Sequence, residues 1–319
     1  MASRGIYIGL ILLACAYILS RPTFTLSGRP AVGGQRAKEG FSSQAQAQQA
    51  NAQHSYELPA IAWTHWNNNR PPKVIKDILE NRPEAMPNWE VRFVTDETVL
   101  DYIDQSDFPL NYKGLSPAHR ADWIRLRLLE LYGGAWLDAG IIVNDGAALD
   151  RLREETIAKR AEYTGFYPND GLNNMGTPSY IDNWFIMAPK GSPFITTWKK
   201  EYESAIDMGF VAYKRKLTST DLTFTDYNVK DPNDVYLTPQ ASLQKILQTM
   251  SYKPNIILHH ARDSMMKLHA ECASRPDNKQ QIECIHDAIL NDPKTKDIPY
   301  IKLRKEDRGF DIGPYFDEP

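Results

Sequence analysis

Cysteine is scarce. Three occur in 319 residues, at Cys15, Cys272 and Cys284, and no two are spaced C-x-x-C, so a structural zinc site has no support. The patterns G-x-x-x-x-G-K-[ST], G-x-S-x-G and H-E-x-x-H are all absent. Their absence removes the commonest phosphate-loop, serine-hydrolase and zinc-protease chemistries. No N-x-[ST] sequon occurs either, which neither favours nor excludes a lumenal body. A dominant charge is also lacking, since 37 Lys and Arg stand against 40 Asp and Glu for a net −3. That balance is uneven along the chain. Residues 1–56 hold five basic side chains and one acidic, a net +4, which leaves −7 for the rest and argues against nucleic acid as a partner.

Long apolar runs are missing except at the amino terminus. Gly5 to Ser20 reads GIYIGLILLACAYILS between Arg4 and Arg21. It is shorter than the ~20 residues of an ordinary spanning helix, yet within reach of a thin bilayer. Two readings stand, an uncleaved signal anchor and a cleaved signal peptide. The anchor is preferred because residues 21–56 resemble a stem: they have few large apolar side chains and include the tract SSQAQAQQANAQ. Such a stretch cannot bury enough surface to offset its ordering entropy, so a disordered tether is expected, with a helical Ala/Gln stalk as the alternative. The flanking arginines do not settle orientation. Cys272 and Cys284 either pair, if the body is lumenal, or remain two thiols.

With 42% hydrophobic residues, the body from residue 57 to 319 can bury a sizeable core. Pro59–Trp63 and Trp89–Val94 read as strands, Lys73–Asn81 as a helix buried through Val74, Ile75, Ile78 and Leu79, and Glu97–Ile103 as helical. The alternation predicts an α/β fold with a parallel or mixed sheet. The strongest helix signal spans Ser116 to Tyr132. Ser116 can cap it, Pro117 suits its first turn and Gly133-Gly134 ends it. Ala121, Ile124, Leu128 and Leu131 form its core stripe, and Arg120, Arg127 and Glu130 a solvated flank. Asp122 and Arg125 lie past the other edge, either facing a cleft or forming a surface i,i+3 ion pair. Ala135–Val143 (AWLDAGIIV) reads as a strand holding Asp138 in an apolar run. That carboxylate needs a cation or several donors. It is either a turn cap at Ala139-Gly140 or a ligand at a strand's carboxyl end.

The run HRADWIRLRLLELYGGAWLDAG, His119 to Gly140, resembles the capsular polysaccharide synthesis proteins and related DXD-type sugar transferases. Their pattern is S-D-x-x-R-x-x-x-L-x-x-x-G-G-x-[WY]-x-D-x-[DTS], matched in register by Asp122, Arg125, Leu129, Gly133, Gly134, Trp136 and Asp138. The opening PAIAWTHWNNNRPP resembles their first strand and loop, and YIDNWFIMAPKGSPF, Tyr180 to Phe194, a segment with a functional Asn or Asp. The resemblance implies a GT-A fold, a Rossmann-like mixed sheet flanked by helices. It also implies a nucleotide-sugar donor, a glycan or lipid-linked acceptor, retention of anomeric configuration, and a divalent cation, manganese or magnesium. By it, Trp63 and Trp66 lie near the base or ribose, Asp122 and Arg125 contact the donor, Asp138 faces the metal or ribose, and Asn183 with Asp182 lies near the anomeric carbon; the alternatives are core aromatics at Trp63 and Trp66 and a turn residue at Asn183. A late histidine completes the metal site in some such enzymes, so His259 or His260 is either that ligand or an ordinary surface or core histidine at a strand end.

Two departures from the pattern show: Ala121 replaces its serine, and Gly140 replaces a second carboxylate. The second puts two-carboxylate chelation in doubt, and an acid restored at position 140 is expected to tighten metal binding. The leading expectation is a type II membrane glycosyltransferase with its body in the Golgi lumen, or a secreted one if the leader is cleaved. A catalytically weak nucleotide-sugar or glycan binder, or a membrane-tethered scaffold, are the alternatives. If Asp122 and Arg125 serve the donor, their removal should end activity with little change in melting temperature, while loss of Arg127 should be silent.

Overall fold

The computed structural model describes residues 24–25, 56–168, 171–225 and 229–317. The expected anchor, 1–20, and the expected stem apart from 24–25 and Tyr56 lie outside these residues. No helix among the described residues is long and apolar enough to cross a membrane.

In chain order the elements are β1 (Phe24–Thr25), β2 (Ile61–Trp66), α1 (Lys73–Ala85), β3 (Glu90–Thr95), α2 (Pro117–Tyr132), β4 (Gly134–Leu137) and β5 (Ile141–Val143). Next come α3 (Gly146–Ala158), β6 (Tyr163–Tyr167), β7 (Phe185–Ala188), α4 (Pro193–Met208), α5 (Phe210–Thr218) and α6 (Thr238–Thr249). The chain closes with β8 (Ile256–His260), α7 (Lys267–Cys272), α8 (Asn278–Asn291), β9 (Tyr300–Lys302) and α9 (Gly313–Asp317). Seven strands form one sheet in the order β1-β8-β6-β7-β4-β2-β3, and β5 pairs with β9 in a second. The large sheet is mixed: β2 runs parallel to β3 and β4, and β6 to β8, whereas β7 is antiparallel to both β4 and β6. Two residues of the expected stem, β1, pair antiparallel with β8.

Period-two alternation puts two cores on the sheet's two faces. Trp63 and Trp136 pack with Leu128 of α2 and Trp198 of α4, while Ala62, Ala135 and Leu137 pack with Leu149 of α3. Each of the large fully buried side chains contributes about 1.5–3 kcal/mol of apolar stabilisation. A third apolar cluster joins α1 to α7, α8 and β9 and seats the C-terminal segment beside β5.

Helix α2 follows its sequence signals closely. The Ser116 hydroxyl accepts from the His119 N–H at 3.3 Å, and the helix stops at Gly133 with φ 69°. Gly134 follows at φ 99°, where a side chain would collide with the Ile61 carbonyl of the neighbouring strand. The two glycines thus let α2 turn straight into β4 at van der Waals range of β2.

Two sequence expectations fail locally. Glu97–Ile103 makes only a 3-10 turn at Val99–Asp101. There Thr95 accepts from the N–H groups of Glu97 and Thr98, and the Thr98 hydroxyl accepts from that of Thr95. Those local bonds compete with helix propagation. The expected strand Ala135–Val143 is broken at Asp138–Gly140, with the Ile141 N–H donating to the Asp138 carbonyl at 3.0 Å. Buried Arg82 of α1 holds this turn, donating to the carbonyls of Asp138 at 2.5 Å and Ile141 at 2.9 Å. Of the two cysteine alternatives the structure has the disulfide, Cys272–Cys284, which ties α7 to α8.

Candidate active site

Parallel strands β2 and β4 end side by side, and a cavity of about 420 Å³ opens beyond their carboxyl ends, where α/β sheets place ligands. Its volume falls in the range of roughly 300–1,000 Å³ common to small-molecule sites. Trp66 from the end of β2, Asp122 and Arg125 from α2, Asp138 after β4, and Asn183 before β7 all line it. Tyr236 and Gln240 wall it from α6 and the loop before it, and Lys305 and Arg308 from the C-terminal segment.

These side chains form one hydrogen-bonded chain. Gln240 Nε2 donates to Asn183 Oδ1 at 2.9 Å, and Asn183 Nδ2 donates to Asp122 Oδ1, also at 2.9 Å. Arg125 then bridges two carboxylates, with Nη1 on Asp122 Oδ1 at 2.6 Å and Nη2 on Asp138 Oδ1 at 3.0 Å. The i,i+3 spacing on α2 aligns Asp122 beneath Arg125, whose guanidinium also lies over the Trp136 ring, 4.8 Å from its centroid. Asp122, Arg125, Asn183 and Gln240 are all buried. The pair is therefore cavity-facing, not a surface ion pair.

Asp138 is more heavily engaged than the sequence suggested. Oδ1 accepts from Arg125 and from Trp136 Nε1 at 2.9 Å, and Oδ2 from buried Lys302 Nζ at 2.8 Å. Burial alone would raise its carboxyl pKa, but Lys302 and Arg125 hold it well below the usual carboxylate range. Burial in turn lowers the Lys302 pKa, which Asp138 partly restores. Asp122 is raised by burial against the pull of Arg125.

Some expected site residues lie elsewhere. Trp63 is fully buried in the core, its indole N–H donating to the Gly133 carbonyl at 2.9 Å, so only Trp66 of the two tryptophans reaches the cavity. The reason is depth along the strand, for His65, two residues nearer the carboxyl end and on the same face, does line the cavity. Asp182 is not in the cavity wall. Its carboxyl accepts from Trp184 and Tyr180, and burial pushes it up to about 7. Arg127 does not lie on a solvated flank but is half-buried, paired with Asp107 and Glu130. His259 and His260 line a different cavity, of about 330 Å³, with Glu155, Tyr167 and Asp263. Strands β6 and β7 separate β8 from β4, which at about 4.8 Å per strand puts the histidines roughly 14 Å off.

The donor set does not fit a divalent cation at Asp138. Both oxygens of its carboxylate already accept from nitrogen donors, one of them an ammonium. Position 140 cannot supply the second acid. A Cβ on Gly140 would lie 2.7 Å from both Arg308 Nη2 and the Leu303 carbonyl. Among the described residues no three His, Cys, Asp or Glu side chains converge as a metal-holding group.

Sequence reasoning missed Arg82, Tyr236, Gln240, Lys302, Lys305 and Arg308. Lys302 carried the only legible signal, a charge inside the strand-like run IPYIKL.

This mixed α/β body, with its cavity at the strand ends, matches a known family. A model of the capsular polysaccharide synthesis protein family covers residues 33–206, more than half of the chain. The chain belongs to that family. It is also 28% identical over 160 residues, 46% of this chain and 37% of the relative, to O-glycosyltransferase braB of Annulohypoxylon truncatum. The aligned part is thus little more than a third of that relative's length. Among solved structures, PaToxG Glycosyltransferase aligns over 86% of this chain and 92% of its own, at 14% identity and a TM-score of 0.37. A glycosyltransferase involved in glycosylation of the major capsid of PBCV-1 aligns over 78% and 98%, at 11% identity and a TM-score of 0.34.

Proposed function

We propose that this chain is a glycosyltransferase that moves a sugar from a nucleotide donor to a glycan or lipid-linked acceptor, on a sheet of the GT-A kind. The observation that carries the reading is the hydrogen-bonded chain Gln240–Asn183–Asp122–Arg125–Asp138 along one wall of the strand-end cavity. All but Gln240 lie inside the segment matched by the family.

Each group has a fitting task. The half-buried Trp66 ring offers a face on which a base can stack. Among the described residues the buried Gln240 Oε1 has no partner, and it can accept from a sugar hydroxyl. Asn183 and Asp122 are fixed on either side by their neighbours, so they can orient a sugar without losing side-chain entropy on binding. Arg125 is a positioning residue, since both of its Nη groups are committed to carboxylates. Neither Asp122 nor Asp138 is left unpaired to serve as a nucleophile, and with that we propose retention without a covalent intermediate.

The test is release of nucleoside diphosphate by the full-length protein across a panel of sugar nucleotides, with the anomer of the product read by NMR. Release with at least one donor, lost in Asp122→Ala, is expected. Nucleotide binding with no release from any donor would sink the transferase reading and leave a sugar-nucleotide binding protein.

A further inference from the structure

In the cavity, charge is balanced on one side and unbalanced on the other. Arg125 and Lys302 neutralise Asp122 and Asp138. Lys305 and Arg308 remain in the cavity wall, and among the described residues neither has a carboxylate within ion-pair distance. Among the described residues Arg308 Nη2 donates to the Leu303 carbonyl at 3.2 Å alone, and the buried Nε has no partner. Arg308 is half-buried, and a guanidinium partly withdrawn from water with open donors and no anion is a ready seat for one.

The segment that carries these cations is held firmly. Antiparallel pairing of β9 with β5 fixes Lys302 opposite Ile141, and the Leu303 N–H donates to the Gly140 carbonyl at 2.7 Å. Beyond it, Asp307 is fully buried and accepts from the Arg304 N–H and side chain and from His269 Nε2 at 2.8 Å. His286 Nε2 meets the Asp307 carbonyl, also at 2.8 Å. His269 lies on α7 and His286 on α8, the two helices joined by the Cys272–Cys284 bond. Arg308 thus projects from a braced loop, over the very place where a second carboxylate of a D-x-D would stand.

We infer that Lys305 and Arg308 form the seat of the donor's diphosphate, so that protein cations occupy the place of a divalent metal in this chain. The inference rests on the transferase reading and deepens it. Two fixed positive charges match the formal charge of one magnesium or manganese ion. As the bond from the anomeric carbon to the diphosphate oxygen breaks, its electron pair stays on the diphosphate. The acceptor oxygen forms the new bond and gives up its proton to solvent. The charge gathering on the leaving oxygens falls beside Arg308, whose planar fork can donate to two of them at once.

Calorimetric titration of the full-length protein with UDP and with GDP tests this, first in EDTA and then in manganese. One of the two should bind about equally well in both buffers. In EDTA, Arg308→Ala should weaken binding about tenfold or more, the scale of a charged hydrogen bond, with Arg308→Lys retaining part of it. Lys305→Ala should cost less, being on an exposed loop position. Thermal melts of the variants check that the loop still folds. Binding that requires manganese, or an Arg308→Ala protein that binds as well as the parent, overturns the inference. If binding is manganese-dependent and donor is still turned over, the transferase reading survives alone. If neither nucleotide binds in either buffer, this inference fails whatever the turnover assay gives.

Discussion

Two segments meet at the cavity, and they are built on opposite principles. The Asp122–Asp138 segment supplies carboxylates from a capped helix and a strand end, inside the stretch matched by the family. The Tyr300–Arg308 segment, outside that stretch, supplies the cations Lys302, Lys305 and Arg308 from a short strand and a braced loop. An ion pair ties them, Lys302 Nζ to Asp138 Oδ2 at 2.8 Å, and removing either partner of such a pair leaves a charge whose desolvation is no longer offset. The comparison teaches that the acidic half of the motif is only half of the site, and that the missing second carboxylate is answered by basic residues more than 160 positions away (Lys302 to Asp138 spans 164).

The largest effect that would break this pairing is expected at Arg125. Because it neutralises both Asp122 and Asp138 while buried, Arg125→Ala should destabilise the fold by about 3–5 kcal/mol, the usual cost of stranding a buried partner. That burial argues for a larger change in melting temperature than the sequence alone suggests. Arg127→Ala breaks only half-buried pairs and should cost about 1 kcal/mol. Urea denaturation of the two variants side by side decides the matter, and equal midpoints would show that Arg125 is not the bridge between the halves.

A second effect depends on pH. The Asp182 carboxyl, raised by burial to about 7, keeps its proton in the folded protein through a range where the unfolded chain, near pH 4, has already lost it. The folded state therefore holds more protons between those values, so this contribution is complete below about pH 4 and is lost as pH rises to about 7. Lys302 and Asp138 lie near enough to tune that carboxyl, which makes it a reporter of the charge balance between the two segments. Asp182→Asn should flatten the decline in unfolding free energy from pH 4.5 to 7.5. A parent protein whose stability does not fall across that window would remove Asp182 from the account.

How much of this was legible follows from where each signal resides. Helix α2 was readable to the residue because its cap, its proline and its terminating glycines act within one turn of chain. Asp122, Arg125 and Asp138 were readable because they share one stretch with a recognisable spacing, Asn183 because its own segment, Tyr180 to Phe194, carries a second likeness, and the structure brings them together with Trp66. Trp63 misled because an aromatic near a strand end looks the same in sequence however deep in the core it sits. His259 and His260 misled because which strand lies beside β4 is a matter of topology, and the antiparallel β7 intervenes. The break at Asp138–Gly140 was hidden because Arg82 and Leu303, which stabilise the turn, come from opposite ends of the body. Lys305 and Arg308 gave no periodic signal at all, since a loop's direction is set by tertiary bonds such as those on Asp307.

A smaller effect, at Gly140, is the sharpest probe of how closely the two segments fit. Gly140 is buried, and its carbonyl already accepts from the Leu303 N–H at 2.7 Å. A methyl group there would meet two obstacles at 2.7 Å, Arg308 Nη2 and the Leu303 carbonyl. The first is the tip of a flexible side chain and can move. The second is backbone, fixed by the β5–β9 pairing, and cannot retreat without shifting Lys302 off Asp138. Gly140→Ala should therefore cost about 1–3 kcal/mol, as overpacking does. Gly140→Asp should do at least as badly, because its carboxylate adds a charge to the same space. An acid at 140 is thus expected to loosen the site instead of tightening a metal, contrary to what the sequence pattern alone suggests. Differential scanning calorimetry of both variants, with and without manganese, reads the outcome. A Gly140→Asp protein that melts at the parent temperature and gains stability from manganese would show that the C-terminal segment yields, and that the acidic motif can still be completed.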